Sequence, residues 1–364
     1  MTLQTFQYDA LPMRVVFGAG SLTRLPEEAE RLHLQRVLIL STQGQLVQAQ
    51  RIQALLGSRA TALFAHAAMH TPNDVTEAAL AHAIHSRADG FIAIGGGSAI
   101  GLSKALALRT DLPQIVVPTT YAGSEATPIL GETMAGVKHT QRSAKILPET
   151  VLYDVELTLA LPVSVSMASG LNAMAHAVEA LYAPDRNPLT ELMAEEALNR
   201  LLEALPEIQK RPNDLEARTA ALSGAWLSGC CLGLTTMGIH HKLCHTLGGS
   251  FGLPHAETHA VVLPHALAYN ISAAPEAKRA LIRVFSEPDP ARALAEFTRR
   301  LGLPSGLFTL GMDEAEIDRA ADIAISKPYP NPRPLEREAI RDLLVRAWSG
   351  GWPLAHSKDS NARL

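Results

Sequence analysis

The segment Phe91-Ile-Ala-Ile-Gly-Gly-Gly-Ser-Ala-Ile-Gly-Leu-Ser-Lys-Ala-Leu-Ala-Leu108 runs from a strand pattern through a glycine triplet into a helix pattern. Residues 91–94 are all apolar, which is typical of a strand covered on both faces. Gly95, Gly96, Gly97 and Ser98 come next, where backbone N–H groups at a helix start can bind a pyrophosphate. The motif is neither GxGxxG nor a P-loop, and a tight structural turn explains a glycine triplet equally well. The segment predicts a strand–turn–helix unit of an α/β fold.

Five further apolar runs lie within the first 155 residues, at Arg14–Phe17, 36–40, 62–64, 114–117 and Thr150–Tyr153. Helical patterns at 44–56, 73–88 and 98–108 alternate with several of them. Such alternation predicts a mostly parallel sheet with helices packed on it.

The strand signal fades after Asp154, and an apolar period near 3.6 then dominates the chain. The segments with this period are 165–183, 190–209, 214–234, 239–250, 275–284 and 289–301. We therefore predict an α/β plus all-α fold. Its parts are a Rossmann-like nucleotide-binding domain at residues 1–157 and an all-helical domain at residues 158–364.

Two other predicted strands end in residues suited to a nucleotide. The strand at 114–117 runs into Pro118-Thr-Thr-Tyr-Ala-Gly-Ser-Glu125, and small hydroxyl-rich turns after neighbouring strands fit a dinucleotide laid across their carboxyl ends. The strand at 36–40 runs into Ser41-Thr42-Gln43, where an acidic residue would bind the ribose and repel a 2′-phosphate. Thr42 cannot repel phosphate, so we expect a dinucleotide to bind with or without a 2′-phosphate, although a simple turn remains an alternative interpretation of this position.

Six of the fourteen histidines fall between residues 238 and 265. His241 and His245 are four residues apart, which places them on one face of a helix, and His255 follows. Upstream, Asn172 and His176 repeat the same spacing. A lone histidine is more often a core residue, but imidazoles grouped in this way predict a catalytic or metal centre built from two helices. Glu179 shares the face of Asn172 and His176, either as an orienting group or as an exposed side chain.

Composition limits the classes of partner. The formal net charge of −4 gives no electrostatic case for nucleic acid or an anionic membrane. No apolar run reaches about 18 residues, and the N-terminus lacks the pattern of a signal peptide. The three cysteines, Cys230, Cys231 and Cys244, form no CxxC motif and predict reduced thiols in the cytoplasm.

These motifs resemble the iron-containing alcohol dehydrogenase superfamily and, within it, the maleylacetate reductase family. The superfamily pattern is carried by 95–98, by Pro-Thr-Thr at 118–120 and by His241-x3-His245-x9-His255. The narrower pattern is carried by 119–125, Tyr153-Asp154, 169–182 and 253–265. The resemblance implies reduction of maleylacetate, a small dicarboxylate keto acid, to 3-oxoadipate with NADH or NADPH in bacterial degradation of aromatic and chloroaromatic compounds. It also implies a homodimer.

The resemblance assigns residues one by one. The family's cofactor positions fall on Gly95, Gly96, Gly97, Ser98, Thr119, Thr120, Ser124 and Lys138. The superfamily's metal ligands, one aspartate and three histidines, fall on Asn172, His176, His241 and His255, while His245 matches a histidine near the nicotinamide. Two positions depart from the pattern. Gly101 stands where an aspartate is common, and Asn172 stands where the ligand aspartate is expected.

Asn172 decides the expectation about metal. An ionised aspartate offers a dication negative charge, whereas an asparagine offers one neutral carbonyl, which weakens an iron site most. Zinc sites of three histidines exist, but we expect no tightly bound metal. The imidazoles would then stabilise the carbonyl oxygen and deliver a proton. We expect His241 and His245 nearest the chemistry, with His176 and His255 holding the acidic substrate and the geometry of the cluster.

Three alternatives stay open on the sequence: a metal-dependent dehydrogenase of small alcohols, a dehydroquinate-synthase-like lyase, and a nucleotide-binding sensor. A further segment, 327–334, contains four prolines and reads as a rigid loop. Its Tyr329, Asn331 and Arg333 would either cap the active-site cleft or lie on a plain surface loop.

Overall fold

The structure is a computed structural model that describes residues 5–134 and 137–354, apart from the side chains of Val137 and Lys138. Four central strands are formed by short apolar runs that are buried on both faces. The strands in chain order are β1 (Arg14–Phe17), β2 (Val37–Leu40), β3 (Ala60–Phe64), β4 (Gly90–Gly95), β5 (Gln114–Pro118), β6 (Ile129–Met134), β7 (Val137–Arg142) and β8 (Thr150–Tyr153). Between them lie α1 (Leu25–Arg31), α2 (Leu46–Leu56), α3 (Asn73–His85) and α4 (Gly97–Thr110).

Six of these strands form one parallel sheet in the order β1-β8-β5-β4-β2-β3. The predicted parallel α/β architecture is therefore confirmed. From β2 the chain moves outward to β3, and from β4 it moves the other way to β5. Neighbouring strands that are followed in opposite directions leave a crevice at their carboxyl ends, where α/β folds bind ligands. The glycine triplet follows β4 at this crevice.

The antiparallel hairpin of β6 and β7 is not predicted by the sequence patterns. It pairs Ile129 with Arg142 at its open end and Met134 with Val137 near its turn. Its residues do not alternate cleanly between apolar and polar, so the signal for a half-buried strand is weak. The hairpin leaves the main sheet between β5 and β8.

The rest of the described chain is helical, as predicted. Its helices are α5 (Val163–Ala180), α6 (Pro188–Lys210), α7 (Leu215–Leu234), α8 (Ile239–Phe251), α9 (His255–Asn270), α10 (Pro275–Phe285), α11 (Pro290–Arg300), α12 (Ile317–Ile325) and α13 (Arg337–Ser349). The sequence patterns do not predict α9, α12 or α13. Helix α9 is buried along most of its length and contains Pro264, so it shows neither an amphipathic stripe nor a helix-compatible sequence.

Local chemistry sets several helix starts. Asn187 caps α6 by accepting hydrogen bonds from the N–H groups of Leu189 and Thr190, with Pro188 in the first turn. Asp214 caps α7 in the same way through the N–H of Ala217. None of the described helices is by itself long and apolar enough to cross a membrane; only the bent pair α7 and α8, which meet at 97°, would satisfy that test jointly.

The core continues from the sheet into the helices. One apolar cluster joins the face of the sheet that carries Leu38, Phe91 and Val116 to α5, α6 and α7. Helices α8, α9, α12 and α13 enclose a second cluster. A short 3-10 helix, Val155–Thr158, links β8 to α5. The division of the chain at residue 158 stays a prediction.

Candidate active site

The glycine turn after β4 is shaped by backbone that side chains would obstruct. Gly95 has a φ of +141°, which L-residues rarely adopt. A Cβ on Gly96 would lie 2.9 Å from Cγ2 of Thr120, whereas a Cβ on Gly97 would meet nothing within 4 Å. Helix α4 begins at Gly97 with no side chain capping its first turn. A helix start with no side-chain cap and with open space at Gly97 suits an anionic ligand.

The ends of three neighbouring strands meet at this turn. The N–H of Thr119, after β5, donates to the carbonyl of Gly95 at 3.0 Å. The Thr119 hydroxyl accepts from Gln45, which follows β2, at 3.4 Å. Thr42 lies between β2 and Gln45, and no carboxylate stands at its position. Lys138 pairs with Thr133 in the hairpin, but its side chain lies outside the described part of the chain.

Gly101 is explained by packing. A Cβ at this position would lie 2.4 Å from the hydroxyl oxygen of Thr71, so an aspartate has no room here. Thr71 is buried and has a φ of +48°, a left-handed backbone that is unusual for a β-branched residue. The departure from the family pattern at Gly101 is thus matched by the side chain of Thr71 filling the space.

A buried lysine, which the sequence reading did not single out, supports the loop after β5. Lys104 on α4 is fully enclosed, and its ammonium donates to the carbonyls of Ser124, Thr127 and Ile129. Burial lowers the pKa of Lys104 to about 7, against a smaller opposing effect of the Glu125 carboxyl. Since Ser124 is a predicted cofactor residue, this lysine helps to fix the position of the cofactor loop.

The histidine cluster joins two helices through direct hydrogen bonds. Nδ1 of His176 on α5 lies 2.8 Å from Nε2 of His241 on α8. Nδ1 of His241 lies 2.7 Å from Oε2 of Glu179, one turn further along α5. The sequence left Glu179 either orienting or exposed; the structure buries it completely and places it against His241.

Glu179 also completes the start of α8. Its two carboxylate oxygens accept hydrogen bonds from the N–H groups of Gly238, His240 and His241 at 3.0, 3.0 and 3.3 Å. A carboxylate is stabilised at a helix N-terminus by these donors and by the helix dipole. A Cβ on Gly238 would lie 3.1 Å from Oε1 of Glu179, so the glycine permits the close approach. The carboxylate therefore holds both the imidazole of His241 and the helix that carries it.

Two arrangements of protons satisfy the network. In one, Nε2 of His176 donates to the carbonyl oxygen of Ala122 at 3.2 Å, its Nδ1 accepts from His241, and His241 donates from both nitrogens. In the other, Nδ2 of Asn172 donates to that carbonyl and to Nε2 of His176, Nδ1 of His176 donates to His241, and His241 donates only to Glu179. Both arrangements hold the imidazole of His241 between His176 and the carboxylate of Glu179.

The other buried imidazoles are neutral at neutral pH. Burial, reinforced by the neighbouring histidines, holds the pKa of His176 well below its usual range. Burial does the same to the pKa values of His240 and His259. The surroundings of His176 thus do not favour its predicted role of holding an acidic substrate by charge. Its geometry favours a role in holding His241.

A single cavity of about 400 Å³ connects the two halves of the site. Gly97 and Ser124 line it at the nucleotide end. Asn172, His176, His241, His245 and His255 line it at the other, so the structure brings all five predicted catalytic residues to one cavity. Oδ1 of Asn172 is buried with no hydrogen-bond partner among the described residues. Leaving such an acceptor unmatched costs about 1–3 kcal/mol, so a donor from a bound ligand is expected there.

The residues at the family's metal positions do not fit a metal ion in this arrangement. The facing nitrogens of His176 and His241 are committed to a hydrogen bond with each other, and Asn172 offers no charge. In the described part of the chain, the acid, cysteine and histidine side chains whose ligand atoms converge within 4.8 Å are instead His240, Cys244 and His259. That group is fully buried beside the cavity, with His240 and His259 in a 3.0 Å hydrogen bond.

The proline-rich loop does not cap the cleft, contrary to one of its two predicted readings. None of Tyr329, Asn331 and Arg333 lines the cavity. Asn331 accepts from the N–H of Ile239 at 3.2 Å and exchanges two hydrogen bonds with Asn270. The guanidinium of Arg333 lies 4.2 Å from the ring centre of Tyr269. The loop therefore packs against the start of α8 on the side away from the cavity.

Comparison with known families agrees with this combination of sheet, glycine turn and histidine cluster. The model of the iron-containing alcohol dehydrogenases matches residues 12–155, and the model of the C-terminal part of the Fe-containing alcohol dehydrogenase family matches residues 166–348. The chain belongs to the iron-containing alcohol dehydrogenase family and is an oxidoreductase. The predicted family resemblance is confirmed.

Within this family the chain is similar to proteins named maleylacetate reductase. The one from Rhizobium sp. (strain MTP-10005) is 52% identical over 351 residues, which cover 96% of this chain and all of the relative. The one from Burkholderia cepacia is 51% identical over the same length. The crystal structure of maleylacetate reductase from Agrobacterium tumefaciens has a TM-score of 0.93 and 53% identity, and the match covers 96% of this chain and 100% of that one.

Proposed function

We propose that the protein reduces maleylacetate to 3-oxoadipate with NADH or NADPH, in the bacterial degradation of aromatic and chloroaromatic compounds. Full-length similarity to maleylacetate reductases supports the reaction. The observation that carries the proposal is the network of His176, His241 and Glu179, which opens on the same cavity as the glycine turn.

The family supports a nicotinamide cofactor, which supplies a hydride when it is bound. The open turn at Gly95, Gly96 and Gly97, with Ser98 in the first turn of α4, would hold the pyrophosphate. The residues that would complete the binding surface are Thr119, Thr120, Ser124, Lys138 and Thr42. The lack of a carboxylate at Thr42 leaves nothing there to repel a 2′-phosphate, which supports acceptance of both NADH and NADPH.

His241 is the proposed proton donor. Hydride adds to the alkene carbon β to the ketone, the C=C π bond breaks, and its electron pair moves through the adjacent bond to leave an enolate with negative charge on the carbonyl oxygen. A positioned imidazolium stabilises that charge, and its proton is delivered to the carbon α to the ketone, which restores the C=O bond of 3-oxoadipate. The Glu179 carboxylate stabilises the imidazolium form and orients its ring, because it binds the opposite nitrogen. Neutral His176 fixes the ring plane of His241 from the other side. His245 is proposed next to the reacting carbons, with His255 and Asn172 shaping the pocket.

We propose that this reaction proceeds without a tightly bound metal. Nδ1 of His176 and Nε2 of His241 are hydrogen-bonded to each other, and Asn172 supplies no negative charge. The buried imidazolium of His241 would occupy the place of the positive charge. We also propose that the protein is a cytoplasmic homodimer with no nucleic-acid or membrane partner. Each chain would have two domains, at residues 1–157 and 158–364.

The test is the loss of NADH absorbance with maleylacetate, measured with and without a chelator. Turnover that persists in the chelator, together with negligible oxidation of small alcohols, supports the proposal. Efficient turnover of small alcohols or aldehydes that disappears in the chelator and returns with one metal would replace it with a metal-dependent alcohol dehydrogenase.

A further inference from the structure

The cavity that holds the histidines has an uneven distribution of charge. Among the described residues that line it, Arg142 is the one lysine or arginine, and none is an aspartate or glutamate. The carboxylate of Glu179, which lies behind His241, is taken up by that imidazole and by the N–H groups at the start of α8. Since a guanidinium is protonated at every working pH, Arg142 supplies the permanent positive charge among the described residues of the cavity.

The guanidinium of Arg142 is held in place without a counter-ion. Arg142 ends β7, where it pairs with Ile129 across the hairpin. Its Nη2 donates to the carbonyl of Gly233 at the end of α7. Among the described residues no carboxylate lies within ion-pair distance of it. Asp185, which lies in the same region of the surface, has both carboxylate oxygens bonded to Thr236.

Hydroxyl groups accompany this charge. Thr140, two residues earlier on the same strand, lines the cavity, and so do Thr235 and Thr236 beyond the end of α7. The hydroxyl of Thr235 donates to the carbonyl of Cys231 and that of Thr236 donates to Asp185, so Thr140 is the threonine beside Arg142 that is placed to donate to a ligand. An arginine fork with such a donor beside it matches the two oxygens of a carboxylate in geometry as well as in charge. A neutral or cationic substrate would leave this arginine unmatched.

We propose that Arg142, with Thr140 beside it, binds the substrate carboxylate that lies away from the reacting carbons. The inference rests on the proposed function, because it assigns one of the two carboxylates of the keto-acid substrate to a specific place. It makes Arg142 a determinant of specificity: a substrate needs an acid group at the end that lies against the hairpin.

The experiment measures binding and turnover in Arg142→Gln and Arg142→Lys. Arg299→Gln is the matched control, because Arg299 also donates to carbonyls at a helix end, those of Gly350 and Gly351 after α13, and lies outside the cavity. We expect Arg142→Gln to raise KM for maleylacetate about 10- to 100-fold with kcat changed less than about threefold. Arg142→Lys should recover part of the loss, while Arg299→Gln leaves KM unchanged.

Binding of inert analogues separates this inference from the reaction itself. Calorimetry compares adipate with monomethyl adipate in the presence of oxidised cofactor. The two ligands share the same six-carbon acid chain, and the methyl ester has one negative charge fewer. The wild-type protein should prefer adipate at least about tenfold, and Arg142→Gln should abolish the preference. If wild type does not reduce maleylacetate but shows this arginine-dependent preference, the proposed reaction fails and the carboxylate site stands.

The contrary result is equally clear. If Arg142 serves only to cap the end of α7, Arg142→Gln should lower the melting temperature, as Arg299→Gln should. In that case KM for maleylacetate and the ratio of adipate to monomethyl adipate affinity should both stay unchanged. That pattern overturns the inference.

Discussion

The two ends of the cavity differ in the groups that line them, which are mostly backbone at one end and side chains at the other. At the nucleotide end the chain contributes mostly backbone, because Gly96 and Gly97 lack side chains and α4 begins without a cap. At the other end the chain contributes side chains from separate helices, with His176 and Glu179 on α5 and His241 on α8. A backbone site needs only the right local turn. A side-chain site needs two helices to meet in one register, so it is more sensitive to single substitutions.

The largest effect expected from this contrast follows His241→Ala. Loss of the proposed proton donor should lower kcat/KM for maleylacetate roughly 10²–10⁴-fold, the usual range for a lost general acid or charge stabiliser. The Kd for NADH, measured by fluorescence titration, should stay the same because the glycine turn is untouched. His245→Ala should behave similarly. Near-normal turnover in both variants would refute the assignment of the active site.

A smaller loss is expected for Glu179→Gln, since Glu179 is a positioning residue that acts through His241. The amide keeps acceptor capacity for the start of α8 but removes the charge that stabilises the imidazolium. We expect kcat to fall roughly 10- to 100-fold, by the cost of about one charge-assisted hydrogen bond.

The split between kcat and KM distinguishes this role from a structural one. In Glu179→Gln, kcat should fall while KM for maleylacetate and Kd for NADH stay close to the wild-type values, because the carboxylate acts on the orientation and charge of His241 and touches neither ligand. Glu296→Gln, an exposed residue of α11 paired with Arg292, is the control. An unchanged kcat together with a lower melting temperature would show that Glu179 is only a helix cap.

The backbone end should discriminate weakly between cofactors. With no carboxylate at Thr42 to repel a 2′-phosphate, kcat/KM for NADH and NADPH should agree within about tenfold, that is within about 1.4 kcal/mol. Steady-state kinetics with both cofactors decide it. A preference for NADH above about a thousandfold would reveal a repulsive group elsewhere at this end.

The smallest effect on activity is expected from adding a metal chelator. Activity should change less than about twofold in EDTA, and elemental analysis should find substoichiometric iron and zinc. Asn172→Asp should raise affinity for divalent metal, because it restores one negative ligand beside His176. Stoichiometric metal that survives in Asn172 variants but disappears in Cys244→Ser would point to the buried group of His240, Cys244 and His259 instead.

Much of the fold can be read from the sequence because its signals are local. Three local signals predict the carboxyl ends of β4 and β5 as the structure shows them. They are the apolar run at 91–94, the glycines after it and the hydroxyl-rich turn at 118–120. The 3.6-residue period predicts α5 to α8, α10 and α11. The sequence does not predict α9, because tertiary packing and not its own pattern keeps the segment around Pro264 helical. It does not predict the β6–β7 hairpin either, because the residues of the hairpin do not alternate between apolar and polar.

For the site, the sequence by itself determined which residues were candidates, because spacings of four residues place His241 with His245 and Asn172 with His176 on shared helix faces. Only the tertiary structure decided how they act. His241 pairs with Glu179, 62 positions earlier, and with His176, 65 positions earlier. Both pairings depend on how α5 and α8 each pack against α9. Burial then lowers the pKa of His176. Arg142 is the one lysine or arginine among the described residues that line the cavity. Local spacing cannot encode these properties, since they arise from solvent exclusion and from contacts between distant segments.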